Sequence, residues 1–157
     1  MDQDTPERRL HALGIELPKA RRPVTPLALM CRHAPGGLLF VSGHAPVGYD
    51  GKVIFGKVGR ELDAAAAAAA ARLTGLNMLA SVRRELGTLD RVRGVLNLHA
   101  MVNVAPGFVE LTAVMDACSS LFIDVFGEAG KHARSTVGMA ELPSNIVIEI
   151  EGVLAVV

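Results

Sequence analysis

The residues best suited to chemistry lie in the last third of the chain. From Ile146 onward the sequence alternates. Ile146, Ile148, Ile150, Leu154 and Val156 form one apolar row, and Val147, Glu149, Glu151, Val153, Ala155 and Val157 form the other. Two carboxylates therefore share one strand face, framed by valines. A carboxyl group in partly apolar surroundings holds its proton to higher pH and can exchange it near neutrality. The plainer reading is an exposed face, or ion pairs across an interface. Arg134 opens the small-residue stretch Ala133-Arg134-Ser135-Thr136-Val137-Gly138, just after a glycine-rich loop. A guanidinium placed there can clamp a substrate carboxylate through two parallel hydrogen bonds. Five histidines (His11, His33, His44, His99, His132) show neither HxxxH nor HxH spacing, and Cys31 and Cys118 form no CxxC, so no metal site is expected. His44 and His132 flank segments that would line a cleft, and either could donate to a substrate. No nucleophile elbow is present. Gly56-Lys57-Val58-Gly59 has the form of a nucleic-acid GxxG loop but lacks the basic face such a loop needs.

The elements that must position these groups follow from periodicity and turn signals. Pro6–Leu17 reads as a short helix weakened at Gly14, followed by a proline-bearing connector (Pro18, Pro23, Pro26). Its basic cluster, Lys19, Arg21 and Arg22, reads as a solvated linker. Leu27–Met30 is expected as an edge strand, Ala34–Gly37 as a turn and Leu38–Ser42 as a buried strand running into Gly43-His44. Asp50-Gly51 signals a hairpin leading into Val53–Phe55. Leu62–Leu86 is expected as a long alanine-rich helix closed by Gly87. In the strand Val92–Val104, the row Val92, Leu96, Leu98, Ala100, Val102 and Val104 should face away from Val95, Asn97, His99, Met101 and Asn103. A helix with Phe108, Leu111, Met115, Cys118, Phe122 and Val125 on one stripe follows, which buries Cys118 and makes it inert. Strands over Ala133–Ala140 and Ile146–Val157 complete the order β-β-α-β-α-β-β. The order suggests an α+β fold with two helices on one face of a mixed sheet, whose other face another subunit would cover.

Composition narrows the classes further. The chain has 157 residues, one domain's worth, with 50% hydrophobic and 20% charged residues, and 16 Lys+Arg balancing 16 Asp+Glu. At this size roughly 68–70% of the unfolded surface can be buried without a metal or disulfide staple. Zero net charge disfavours disorder and nucleic-acid coating. The mean hydropathy of +0.36 implies apolar surface to hide in an oligomer. Two thiols fit a reducing cytoplasm, with a single disulfide as the alternative. The polar, acidic start Met1–Glu7 lacks the pattern of a signal peptide. The alanine run Ala64–Ala71 falls short of the ~20 residues that a membrane span requires. Residues 1–26 read as a helical extension and linker, and 27–157 as the main domain.

Ala133-Arg134-Ser135-Thr136-Val137, Leu142-Pro143 and Ile148-Glu149-Ile150-Glu151 together resemble the C-terminal signature of the RidA family, also called YjgF. Upstream, Leu39-Phe40-Val41-Ser42-Gly43 and the long helix fall in matching order, so the resemblance spans roughly 38–157. It implies a chorismate-mutase-like α+β fold and a homotrimer with clefts between subunits. The implied reaction is hydrolysis of reactive enamine/imine acids, such as 2-aminoacrylate, to 2-oxo acids and ammonia, without metal or organic cofactor. Arg134 matches the arginine that binds the substrate carboxylate, and Glu149 the glutamate that positions or activates water. Ser42, Gly43, His44, Thr136 and His132 are the expected substrate-binding rim. His44 stands where the family has glutamine, and Thr136 where cysteine is frequent. Thr112 replaces a helix asparagine, and Thr25-Pro26-Leu27-Ala28 lacks the family's tyrosine. The rival functions are a non-catalytic binder of small 2-oxo or hydroxy acids and an RNA-cleaving protein, the latter disfavoured by the neutral charge.

Overall fold

A computed structural model describes residues 4–157; the reading of Met1, Asp2 and Gln3 lies outside the described residues. After helix α1 (Pro6–Ala12), the chain forms β1 (Cys31–Ala34), β2 (Leu38–His44), α2 (Ala64–Leu86), β3 (Val92–Asn103), α3 (Leu111–Phe126), β4 (Ala133–Met139) and β5 (Ile148–Val156). The strands make one five-stranded sheet in the order β1-β2-β5-β3-β4. Only the β3–β4 pair is parallel, so the sheet is mixed, and the fold is α+β as expected.

Helix α2 starts where the Asp63 carboxylate accepts from the Ala66 amide at 2.8 Å, and it ends at Gly87, whose φ of 82° is the left-handed cap glycine supplies. Ala67, Ala70 and Ala71 are buried, and these thin side chains let the helix lie close on the sheet. At 23 residues α2 is long and apolar enough to cross a membrane, but 67% of its most apolar window is buried inside the protein, which makes it the core helix. It packs on α3 at Gly75, where an added Cβ would come within 2.9 Å of the Cys118 Sγ. Met115, Cys118, Phe122 and Val125 are fully buried on the predicted stripe. Burial pushes the Cys118 thiol up to about 12, so it stays protonated and unreactive.

Two irregularities shift side chains between faces. In β3 the register slips between Val92 and Gly94 and again between Val95 and Asn97. Val95 therefore turns inward with Leu98, Ala100 and Val102, while Leu96 is 44% exposed, the reverse of the simple alternation. In β2 the slip between Val41 and His44 returns His44 to the core. The first edge strand is Cys31–Ala34 rather than Leu27–Met30, and Val53–Phe55 makes only isolated bridges to Val47 and Ile146. Val147 is buried rather than facing outward, because its amide donates to the Ile54 carbonyl before the strand proper begins.

Helix α1 ends earlier than its apolar spacing predicts, with Gly14 at φ +63° turning the chain back. Leu10 is buried, and Glu7 pairs with Arg83 while accepting from the Leu89 amide at 2.9 Å. The segment 16–30 then runs across the body as a strap. Tyr49 donates to the Glu16 carbonyl at 2.5 Å, Arg84 to the Arg21 carbonyl at 2.7 Å, and the Ser42 hydroxyl to the Leu29 carbonyl at 2.6 Å.

Candidate functional site

Both helices cover one face of the sheet, and the row Leu98, Ala100, Val102 with Ile148 and Ile150 is fully buried beneath them. Glu149 sits opposite Met101 on the reverse, open face. Its carboxylate lies over Gly43, where a Cβ would stand 1.9 Å from Oε1, so the absent side chain makes room for the acid. A cavity of about 480 Å³ opens there, lined by Glu149, Gly43, His44, Val53, Phe55 and Ser144 among others. Burial, with the neighbouring Glu151 carboxylate adding to it, holds the Glu149 carboxyl above its ordinary range. Glu149 thus occupies the partly apolar surroundings that a proton-handling group needs.

His44 reaches this cavity's wall but is only 2% exposed. Its Nδ1–H donates to the Ser42 carbonyl at 2.6 Å, and Nε2 accepts from the Ser81 hydroxyl at 2.8 Å, an assignment fixed by the carbonyl. Burial pushes its pKa down to about 4, so the ring stays neutral with both nitrogens occupied. It braces the bulge that presents Gly43. Ser42 points to the strap rather than into the cavity.

Arg134 lies elsewhere. Opposite Leu98 on β4, it faces the helix side, where its guanidinium donates to Ser119 Oγ at 2.8 Å and Asp116 Oδ1 at 2.5 Å. The Ser119 hydroxyl donates to His132 Nε2 at 3.0 Å, while His132 Nδ1–H donates to the Gly130 carbonyl at 2.6 Å. This relay lines a separate surface cavity of about 450 Å³. Thr136, two residues along β4, lines neither cavity. One subunit thus groups Glu149, Gly43 and His44 at one site and Arg134 with His132 at another, on opposite sheet faces.

Several contributors have no site role in the sequence reading. Lys57 is 9% exposed, donating from Nζ to Asn103 Oδ1 at 2.8 Å and to the Ala140 carbonyl. Asn103 in turn donates to Asn145 Oδ1 at 2.9 Å and the Ile146 carbonyl at 3.1 Å. This network holds the 142–146 turn, with Ser144 and Asn145 at φ 54° and 61°, against the Glu149 cavity. The buried Lys57 also removes the GxxG reading of residues 56–59. Arg21 and Arg22, read as solvated linker, line the cavity too, as does Asn77. Only Leu142-Pro143 stood out in the sequence, as part of the family signature; the rest depends on contacts between distant segments. Among the described residues no cluster of His, Cys, Asp and Glu could hold a metal ion.

Comparison with known proteins places this architecture. The model of the YjgF/chorismate mutase-like family, whose description also carries the term endoribonuclease, matches residues 7–153. The Trypanosoma cruzi protein TCP17 is 37% identical over 147 residues, covering 92% of this chain and 90% of that protein. The crystal structure of Atu1372 from Agrobacterium tumefaciens superposes with a TM-score of 0.87 at 39% identity, covering 98% of this chain and 95% of that one. RidA from the Antarctic bacterium Psychrobacter sp. shares the fold, with a TM-score of 0.60 at 21% identity over 88% of this chain and 94% of its own. The chain belongs to the YjgF/chorismate mutase-like family.

Proposed function

We propose that the protein is a cytoplasmic, cofactor-independent hydrolase that deaminates small enamine/imine acids in a homotrimer. Arg134 of one subunit would complete the Glu149 cavity of the next. The observation that carries this reading is Glu149 itself, a half-buried carboxyl with a raised pKa facing a mostly apolar cavity on the uncovered sheet face. Arg134, which within one subunit lies on the opposite sheet face, would supply the carboxylate anchor from a neighbour. The apolar Phe40 and Val137 on the open face, 47% and 37% exposed, supply surface that subunit contact would bury. The free, buried thiols of Cys31 and Cys118 are in keeping with a reducing compartment.

The chemistry asks little of the protein. An enamine acid takes a proton at its terminal carbon from the protonated Glu149 and becomes an iminium ion, leaving Glu149 as the carboxylate. The Glu149 carboxylate then accepts a proton from water as the water oxygen bonds to the iminium carbon, giving a neutral carbinolamine. The resulting carbinolamine passes its hydroxyl proton to nitrogen and expels ammonia as the C–N bond breaks, leaving the 2-oxo acid. The imine carbon is already electrophilic, so anchoring and one proton-transfer group suffice. With 2-aminoacrylate generated by a dehydratase, the wild type should accelerate pyruvate release. Glu149→Gln should lose about 10²–10⁴-fold in rate, and Arg134→Ala should weaken substrate capture most. No acceleration by the wild type, or full rate in either variant, would sink the deaminase. Binding of 2-oxobutyrate without turnover would establish the acid-binding role instead.

A further inference from the structure

The Glu149 cavity does not end at the sheet. Arg21, Arg22, Val47 and Asn77 line both it and an adjoining cavity of about 790 Å³, so the two abut beneath the strap and share these residues. The outer part carries four cations, Lys19, Arg21, Arg22 and Arg84, against one carboxylate, Asp50, which is already paired with Lys52. Arg84 spends one amino group on strap carbonyls. Arg21 and Arg22 have neither a side-chain hydrogen bond nor an ion pair among the described residues. At the junction Asn77 is 98% buried, with a 2% residual exposure. Its amide group donates to the Val47 and Leu73 carbonyls at 2.9 and 2.8 Å, which leaves Oδ1 as the one buried side-chain acceptor without a partner among the described residues. Unpaired guanidiniums in a cleft with excess positive charge mark a place suited to an anionic guest.

We propose that Arg21 and Arg22 form an anion subsite, and that the substrate of this cleft is an imino or oxo acid with a second anionic group, of the dicarboxylate class. The inference rests on the reading in which Arg134 of a neighbouring subunit holds the carboxylate next to the reacting carbon. Two anchors then require two anions. The unit cavity of about 480 Å³ lies in the range of roughly 300–1,000 Å³ that encloses ligands well above the size of 2-aminoacrylate. Its apolar walls, Val24, Val53 and Phe55, suit the methylene chain between the two ends.

Calorimetry with two non-reacting probes tests this: 2-oxoglutarate, with two carboxylates, and 2-oxobutyrate, with one. The wild type at low salt should bind 2-oxoglutarate about tenfold or more tightly than 2-oxobutyrate. Arg21→Gln/Arg22→Gln should erase that preference while leaving 2-oxobutyrate binding intact, and Arg21→Lys/Arg22→Lys should keep part of it. The intact 2-oxobutyrate binding and the lysine variant separate lost charge from lost fold. No preference in the wild type, or one that survives the glutamine variant, overturns the subsite. So does a single-stranded RNA oligonucleotide binding there more tightly than either acid. Because binding is the readout, the subsite can stand if deamination fails. Deamination of 2-aminoacrylate can likewise stand without any dicarboxylate preference.

Discussion

Glu149 and His44 stand on either side of one β-bulge, and burial drives their ionisation in opposite directions. The Glu149 carboxyl is raised above its ordinary 4.5, so the folded protein binds more protons than the unfolded chain from about pH 4.5 upward. Stability falls as pH rises through that window, and Glu149→Gln should remove the penalty. Chemical denaturation from pH 4 to 8 should show the variant gaining on wild type toward neutrality, and a constant difference would refute the raised pKa. His44 has the reverse sign. Its pKa of about 4 lies below the ordinary 6.5, so its contribution is present above 6.5 and is lost as pH falls toward 4. Gly43 is the third member of the bulge. Gly43→Ala puts a methyl group where the Glu149 carboxylate rests, and displacing that group by about an ångström is expected to cost roughly 100-fold in kcat. Unchanged kcat in a correctly folded variant would show that the carboxylate position is unimportant.

The elements were largely legible because burial imprints periodicity. Helices α2 and α3, with Asp63 and Gly87 bounding the first, follow from alanine content, caps and an apolar stripe. The outward aspect of Glu149 follows from the Ile148–Ile150 alternation. The bulges were not legible, since a slipped register is set by the partner strand and leaves no mark in a run such as Val95-Leu96-Asn97. Nor was the separation of Arg134 from Glu149 onto opposite faces, which depends on how β4 and β5 each register against β3. Arg21 and Arg22 look like linker because the contact that holds the strap comes from Arg84, 63 residues away. Lys57 escaped for the same reason. Lys57→Met should remove charged hydrogen bonds worth about 1.5–3 kcal/mol, lowering Tm by roughly 3–12 °C. Backbone amides in 140–146 should exchange faster, and full protection of that turn would show that the lysine does not brace it.

For the whole molecule, the decisive fact is that one chain holds Glu149 and Arg134 apart. If the site forms between subunits, two impaired variants carry complementary halves. Arg134→Ala and Glu149→Gln subunits, refolded together in equal amounts, should regain activity at about a quarter of their sites, those pairing a wild-type arginine with a wild-type glutamate. Each variant refolded alone should stay at its own reduced rate. No recovery in the mixture would mean that both groups act within one subunit or not at all. Light scattering on the wild type checks the assembly directly, and a stable monomer would undo the shared site.

The strap is fastened through its carbonyl oxygens at Glu16, Arg21 and Leu29, by Tyr49, Arg84 and Ser42. Main-chain acceptors are the same whatever side chain the residue carries. Replacements along the strap can therefore alter the charge and bulk at the mouth of the cleft without loosening its moorings or touching the sheet. Such an arrangement separates what must be kept from what is free to drift. A change of guest could then be made in the strap's exposed side chains alone, with the sheet and its core left as they are.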